Sequence, residues 1–149
     1  TPKVIEYNCR FGDPETQPIM MRMQSDMVEL CQAAIAGKLD QMESKWDPRA
    51  SIGIVLAAGG YPADYAKGEV ISGLPTTEVE GQKVFHAGTT EKEGNVVTNG
   101  GRVLCATALG NTVLEAQQRA YELAKQISWN GMFYRNDIGY RAIAREQAK

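Results

Sequence analysis

The first group of residues whose types suit chemistry lies on one face of a predicted strand near the start of the chain. Residues 3–11 alternate apolar and polar side chains, and this period of two predicts a half-buried strand. Its polar face carries Glu6, Asn8 and Arg10. A carboxylate and an amide oxygen are the hard ligands that magnesium prefers, and a guanidinium suits a phosphate or a carboxylate. Periodicity alone favours the alternative of a solvated face whose Glu6 and Arg10 pair with neighbours.

A turn and a helix must follow this strand. The run 12–15 breaks the strand, and Pro18 suits the first turn of a helix because its missing N–H is no loss there. Apolar residues then recur at three- and four-residue spacing through residue 34, which predicts one long, core-facing helix. Residues 38–50 are polar, so we place a domain boundary or linker there, with a second unit starting near Ala50.

The second domain has the pattern of a small antiparallel β unit followed by helices. Short β-type runs separated by glycine turns cover 51–58, 69–73, 83–87 and 96–108. The run 89–95 has hairpin-loop composition, and a turn or bulge at 99–101 divides the fourth run into two strands. The spacing of Thr112 and Glu115 is that of a capping box and predicts a helix through residue 127. A last short helix is predicted near 137–144, which makes the fold class α+β.

Bulk composition excludes several classes of function. The chain has 149 residues and a formal net charge of −2, with no basic run that could neutralise a row of nucleic-acid phosphates. It has no stretch of roughly 20 apolar residues, so no membrane partner is expected. Three cysteines and one histidine predict no cysteine–histidine zinc site and a reducing, cytoplasmic location. Because strand-like residues begin at once after Thr1, we expect that an upstream part is missing.

Five segments resemble one enzyme family in the same order along the chain. The most specific is the run 10–20, RFGDPETQPIM. It is followed by VLAAGGYP at 55–62, KVFHAGT at 83–89, VTNGGRVL at 97–104 and DIGYRA at 137–142. Together they resemble the carboxy-terminal part of the phosphoribosylamine–glycine ligases, also called glycinamide ribonucleotide synthetases, which are ATP-grasp enzymes of purine biosynthesis. The resemblance covers essentially the whole chain.

This resemblance implies an architecture and a reaction. Residues 1–46 would be the strand and long helix that end an ATP-grasp domain, and 47–149 a β-rich domain of the rudiment single-hybrid type with carboxy-terminal helices. ATP would phosphorylate the carboxylate of glycine, and the amine of 5-phosphoribosylamine would displace phosphate. The products would be glycinamide ribonucleotide, ADP and phosphate, with magnesium or manganese neutralising the phosphates.

The resemblance also implies roles for residues of the first segment. Glu6 and Asn8 match the metal ligands of the ATP-grasp pattern, and Arg10 is the candidate catalytic residue that steadies a phosphate or the acyl phosphate. Asp13 and Glu15 belong to the family signature and are candidate substrate-binding residues. Local roles remain open for both, because an aspartate can cap a turn and a glutamate can complement a helix start.

Other polar and small residues favour structural interpretations. The pairs Gly59–Gly60 and Gly100–Gly101 are more typical of turns and bulges than of ligand contacts. A lone histidine in a predicted strand, His86, is more often a packed or surface residue than a catalyst. The three cysteines are interpreted as small core residues.

Three hypotheses for the whole chain stay open. As the carboxy-terminal part of a ligase it lacks a glycine-rich phosphate loop and the ATP-gripping lysines, so by itself it is predicted to be inactive. It could alternatively be a non-catalytic module that packs against the rest of a larger protein. As a third possibility, it assembles with a separate chain that carries the missing amino-terminal part.

Overall fold

A three-stranded antiparallel sheet forms the centre of the computed structural model, which describes residues 3–7 and 10–148. Its strands are β1 (Ala50–Ala57), β2 (Gln82–His86) and β5 (Arg102–Gly110), in the order β1-β5-β2. A separate two-stranded sheet pairs β3 (Thr89–Lys92) with β4 (Asn95–Thr98). The helices are α1 (Thr16–Arg22), α2 (Met27–Ile35), α3 (Val113–Gln126) and α4 (Tyr140–Gln147), with a short 3-10 helix at Leu39–Gln41. These elements confirm the predicted α+β class and its antiparallel pairing.

The core lies between the sheet and α3. Ile54 of β1 pairs with Ala106 of β5, and both are fully buried. The helix that covers them presents small side chains, including Ala116 and Ala120, which let its backbone approach the strands closely. Thr112 Oγ1 accepts the backbone N–H of Glu115 at 3.1 Å and so begins α3 as the capping-box spacing predicts.

The other face of the sheet is covered by α1. Side chains alternate across a strand, so Gly53 and Cys105 point away from α3. Pro18 of α1 lies against this face beside them. Helix α1 is therefore packed on the β unit, on the side opposite α3.

The prediction of one long helix is wrong, because the chain leaves the helix at Met23 and starts again at Met27. Met23 forms an antiparallel bridge with Trp46, which requires extended backbone. The Asp26 carboxylate then accepts the N–H groups of Val28 and Glu29 at 2.7 and 3.3 Å and caps a new helix. Neither α1 nor α2 has a fully buried residue, so the predicted core-facing stripe is only partly covered.

The predicted strand over 3–11 is also wrong for its described part. Residues 3–7, 10 and 11 belong to no strand, and Ile5 is 97% exposed. A strand exists only when its backbone groups pair with a neighbour, and the two sheets of the described chain are built entirely from β1–β5. Alternation in sequence does not supply such a neighbour.

Three smaller corrections concern the β unit and the end of the chain. The predicted hairpin loop at 89–95 is β3, the start of β4 and a tight turn, in which Glu93 and Gly94 have φ of 53° and 74°. The run 69–73 forms only isolated bridges, through Val70 and Ser72. The last helix begins at Tyr140 rather than near residue 137, directly after Gly139 in the left-handed region.

Candidate functional site

The family-like signature at 10–15 is the loop that leads into α1. Glu15 occupies the position before the helix but makes no side-chain capping bond there. The loop is instead closed by Thr16, whose backbone N–H and Oγ1 both donate to the carbonyl oxygen of Gly12, at 3.1 and 2.6 Å. The Glu15 carboxylate folds back over the Cα of Gly12. The signature loop is therefore a compact turn rather than the end of a strand.

One ion pair connects this loop to the central sheet. Asp13 Oδ2 lies 3.0 Å from Nη2 of Arg102, and Nη1 of the same guanidinium lies 3.5 Å from the Asp13 carbonyl oxygen. The side chains are 50% and 40% exposed, so water still reaches both charges. Arg102 was not among the predicted site residues, although it stands inside the family-like run 97–104. Its place in that run was the signal that could have identified it.

Glycine turns surround the base of Arg102, which is the first residue of β5. Ala58 donates its N–H to the carbonyl of Gly101 at 2.9 Å, and Asn99 donates to the carbonyl of Gly88 at 2.7 Å. A Cβ on Gly88 would fall within 2.7 Å of the Gly100 Cα. Glycine is needed here for close backbone approach, which supports the structural interpretation of the pair at 100–101.

The predicted metal ligands are not assembled by the described residues. Glu6 is exposed, and Asn8 lies outside the described residues. Arg10 is also exposed and donates Nη1 to the Phe11 carbonyl at 3.3 Å. In the part of the chain that the structure describes, no group of three or more acidic, histidine or cysteine side chains could hold a metal. Glu6 and Asn8 still fit a magnesium site chemically, as two hard oxygen donors that take their other ligands from water or substrate phosphates.

The histidine and the cysteines differ in their surroundings. His86 is exposed, and its Nδ1 lies 3.0 Å from Thr89 Oγ1, which agrees with the interpretation as a surface residue. Cys105 is 1% exposed, and burial raises the pKa of its thiol above the ordinary value. Cys31 is exposed on α2, so the prediction of a core residue is wrong there. Cys9 lies outside the described residues.

A cluster of charged side chains stabilises the segment that leads into β1. The Asp47 backbone donates to the Arg22 carbonyl at 2.7 Å, and Arg22 Nε donates to the Asp47 carbonyl at 3.1 Å. Arg49 Nη2 lies 2.7 Å from Asp47 Oδ2, and its Nη1 reaches Glu80 at 3.1 Å. Hydrogen bonds from Arg49 lower the pKa of the buried Asp47 from 3.8 to about 2.

A cleft of about 620 Å³ lies along the edge strand β2. It is bordered by Met21 of α1, Leu123 of α3 and residues 74–84. None of the described residues between 6 and 15, which are 6, 7 and 10–15, lines it, so this cleft and the signature loop are separate features.

Comparison with known proteins identifies the family. A family model described as phosphoribosylglycinamide synthetase, C domain, matches residues 51–141, which is more than half of the chain. The chain belongs to this family. The match of a C-domain model accounts for the β unit and for α3, and it includes Arg102 and the glycine turns around it.

Relatives of this C domain are similar over the whole chain. A phosphoribosylamine–glycine ligase of Vibrio cholerae is 87% identical over 99% of the chain, and one of Pseudomonas putida is 68% identical over 99%. The chain spans 34% of the length of each. The crystal structure of phosphoribosylamine–glycine ligase from Thermotoga maritima superposes with a TM-score of 0.69 at 38% identity, over 91% of this chain and 33% of that one. Among the described helices, none has the length and apolar character needed to span a bilayer.

Proposed function

We propose that this chain works as the carboxy-terminal part of a phosphoribosylamine–glycine ligase. The observation that carries the proposal is the 87% identity to such a ligase over 99% of the chain, although the chain covers about a third of the relative. The reaction joins glycine to 5-phosphoribosylamine at the expense of ATP. The glycine carboxylate accepts the γ-phosphoryl group to give glycyl phosphate and ADP. The substrate amine then attacks the acyl carbon and phosphate leaves, giving glycinamide ribonucleotide.

The proposal assigns residues 1–46 to the end of an ATP-grasp domain and 47–149 to a rudiment single-hybrid domain. Support comes from the family match, which begins at residue 51. The cluster of Asp47 and Arg49 lies directly before that point and ties the two parts together. Under this proposal the exposed segment 3–7 is a strand only within the complete ligase, where a neighbouring strand is available to pair with it.

Glu6 and Asn8 are proposed as ligands of magnesium or manganese. The bound metal would supply positive charge that offsets the charge developing on the transferred phosphoryl group. Glu6 is exposed, so its carboxylate is accessible to a metal–nucleotide complex held by the rest of the ligase. A carboxylate and an amide leave several coordination positions for phosphate oxygens and water, as magnesium prefers.

Arg10, Asp13 and Glu15 are proposed to act on the acyl phosphate and the substrates. The guanidinium of Arg10 is exposed and can donate two parallel hydrogen bonds to a phosphate. The ion pair with Arg102 uses one oxygen of the Asp13 carboxylate, Oδ2. Glu15 is exposed at the start of α1 beside Gly12, where its carboxylate can accept a hydrogen bond from an amine or a hydroxyl of a substrate.

The chain by itself is proposed to be inactive, and its partner is the remainder of the ligase. Exposed apolar side chains support a covering partner, because Val4 is 68%, Ile5 97% and Ile35 89% exposed. The remainder could be joined covalently or supplied as a separate chain. Adding the amino-terminal two thirds of the Vibrio cholerae ligase as a separate polypeptide distinguishes the two arrangements.

The test is a chimaera in which this chain replaces the matching part of the Vibrio cholerae ligase. We expect ATP- and glycine-dependent formation of glycinamide ribonucleotide near the rate of the unmodified host. Glu6→Gln in the chimaera is expected to lower kcat by about 100-fold or more, since metal sites lose 10–100-fold even when only supporting groups are changed. Glu43→Gln, at another exposed glutamate, serves as the matched control. Unchanged turnover in Glu6→Gln would favour the alternative of a non-catalytic packing module.

A further inference from the structure

The pair formed by Asp13 and Arg102 joins two segments that are 89 residues apart in sequence. Asp13 stands in the loop before α1, and Arg102 is the first residue of β5. The guanidinium contacts the loop twice, at the Asp13 carboxylate and at its backbone carbonyl. Two contacts from one planar group restrict the orientation of a loop more than a single charge contact does.

The sheet holds the base of Arg102 in place. Arg102 pairs with Ala57 of β1, and the following residue, Val103, accepts the N–H groups of Ala87 and Gly88, both at 3.0 Å. Gly101, immediately before it, is buried beneath the ring of Tyr61. The backbone that carries Arg102 is therefore bonded on both sides, so its side chain reaches the loop from a rigid base.

The loop has a second anchor at its other end. Thr16 bonds the Gly12 carbonyl through its N–H and its hydroxyl, which fixes the loop to α1. Asp13 follows Gly12 directly, and Arg102 holds it from the sheet side. With both anchors in place, Arg10 and Glu15 lie on either side of a turn whose position is set by α1 and β5 together.

We propose that Arg102 is a positioning residue of the ligase reaction, which acts through Asp13 to hold the 10–15 loop against the C domain. This inference rests on the proposed function. If the pair had only a structural role, its removal would change stability and kcat little, because exposed ion pairs contribute little to stability. Removing a positioning residue lowers kcat instead, since misplacement of a reacting group by about 1 Å lowers the catalytic rate by up to 100-fold.

The first test measures amide hydrogen exchange of residues 11–17 in the 149-residue chain. Arg102→Met is expected to raise the exchange rate of this segment at least about threefold, and Asp13→Asn to do the same without any change in β5. Arg135→Met removes another exposed ion pair, with Asp137 at 2.7 Å, and is the matched control that leaves residues 11–17 unchanged. Equal protection of residues 11–17 in Arg102→Met and the wild type would overturn the proposal. Asp13→Asn keeps the test valid if Arg102→Met does not fold.

The second test measures steady-state kinetics in the chimaera with the Vibrio cholerae ligase. Arg102→Met is expected to lower kcat about tenfold while KM for ATP stays within about twofold, because the loop affects the reacting group more than nucleotide binding. Arg102→Lys retains the charge but not the planar group that makes both contacts, and is expected to recover only part of kcat, to a value between those of Arg102→Met and the wild type. An unchanged kcat in Arg102→Met, or a lysine variant as slow as the methionine variant, contradicts the proposal. An inactive wild-type chimaera beside an active host overturns the proposed function, and hydrogen exchange alone then decides the role of Arg102.

Discussion

The Glu146 carboxylate of α4 accepts the backbone N–H of Val113, with Oε1 at 3.2 Å and Oε2 at 3.0 Å. Val113 is the first residue of α3, and N–H groups in a first helical turn have no partner within the helix. Thr112 satisfies another of them, at Glu115. Glu115 differs from the usual capping box, because its Oε2 accepts the N–H of Asn111 rather than of Thr112. The last helix thus completes the start of the helix that covers the core.

Glu146→Ala is therefore expected to lower the free energy of unfolding by about 0.5–1 kcal/mol, through loss of this cap and of a negative charge near the helix N-terminus. Urea unfolding followed by circular dichroism measures the change. Amide exchange in α4 should rise in the same variant, since the contact ties α4 to α3. Glu122→Ala, at an exposed position on α3, is the control and should stay within about 0.5 kcal/mol of the wild type. Equal stability of Glu146→Ala and the wild type would show that the cap contributes nothing.

The Asp47–Arg49 pair predicts a loss of stability in acid. The pKa of Asp47 is about 2 in the folded chain against an ordinary value of 3.8, so the folded state holds fewer protons between these values. The contribution of Asp47 to stability is fully present above about pH 4 and is lost as pH falls towards 2. Urea unfolding across this range should show a shallower pH dependence in Asp47→Asn than in the wild type.

The pH dependence of Asp47→Asn must be compared with that of the wild type, because a hydrogen bond from Arg135 also lowers the pKa of Asp137. That group contributes its own acid dependence to both curves. Parallel curves for the wild type and Asp47→Asn would contradict the assigned role of Asp47.

Thiol reactivity should separate Cys31 from Cys105. Cys31 is exposed on α2 and should be alkylated by iodoacetamide in the folded chain, whereas Cys105 is 1% exposed with a raised pKa. Reaction requires an accessible thiolate, so Cys105 is expected to react only after unfolding in urea. Peptide mapping by mass spectrometry assigns each modified position. Rapid modification of Cys105 in the native chain would mean that α1 does not stay packed on the sheet.

The core between β1 and α3 should respond strongly to truncation. Leu56 is fully buried, and Leu56→Ala is expected to lower the free energy of unfolding by about 2–5 kcal/mol through lost burial and the cavity left behind. Val28→Ala removes apolar atoms from a side chain that is 62% exposed and should cost less than about 1 kcal/mol. Similar losses in the two variants would contradict the assignment of the core to this side of the sheet.

Local pattern predicted the central elements of this protein well. Short sequence signals mark each of these elements. β-type runs bounded by glycine turns predict β1 and β5, and the spacing of Thr112 and Glu115 predicts α3. The family resemblance was likewise readable from short runs, and the match to the C-domain model confirms it. Such features depend on backbone preference and side-chain periodicity, which act over short distances along the chain.

The errors arose where distant segments decide the outcome. Residues 3–7 alternate like a strand but lie in no sheet, because pairing needs a neighbouring strand that periodicity does not specify. The helix predicted through residue 34 breaks because Met23 pairs with Trp46 and Asp26 caps a new start. The bridge to Trp46 is a long-range contact, whereas the Asp26 cap is local and competes with a continuous helix through a polar side chain that the hydrophobic pattern does not register.

The sequence by itself determined the α+β class, the strands and helix of the core and the family to which the chain belongs. Only the tertiary structure decided that Asp13 meets Arg102, that Glu146 caps α3 and that Cys31 is exposed while Cys105 is buried. The physical reason is that periodicity tells which face of an element is apolar, whereas the partner that this face meets depends on how the whole chain packs.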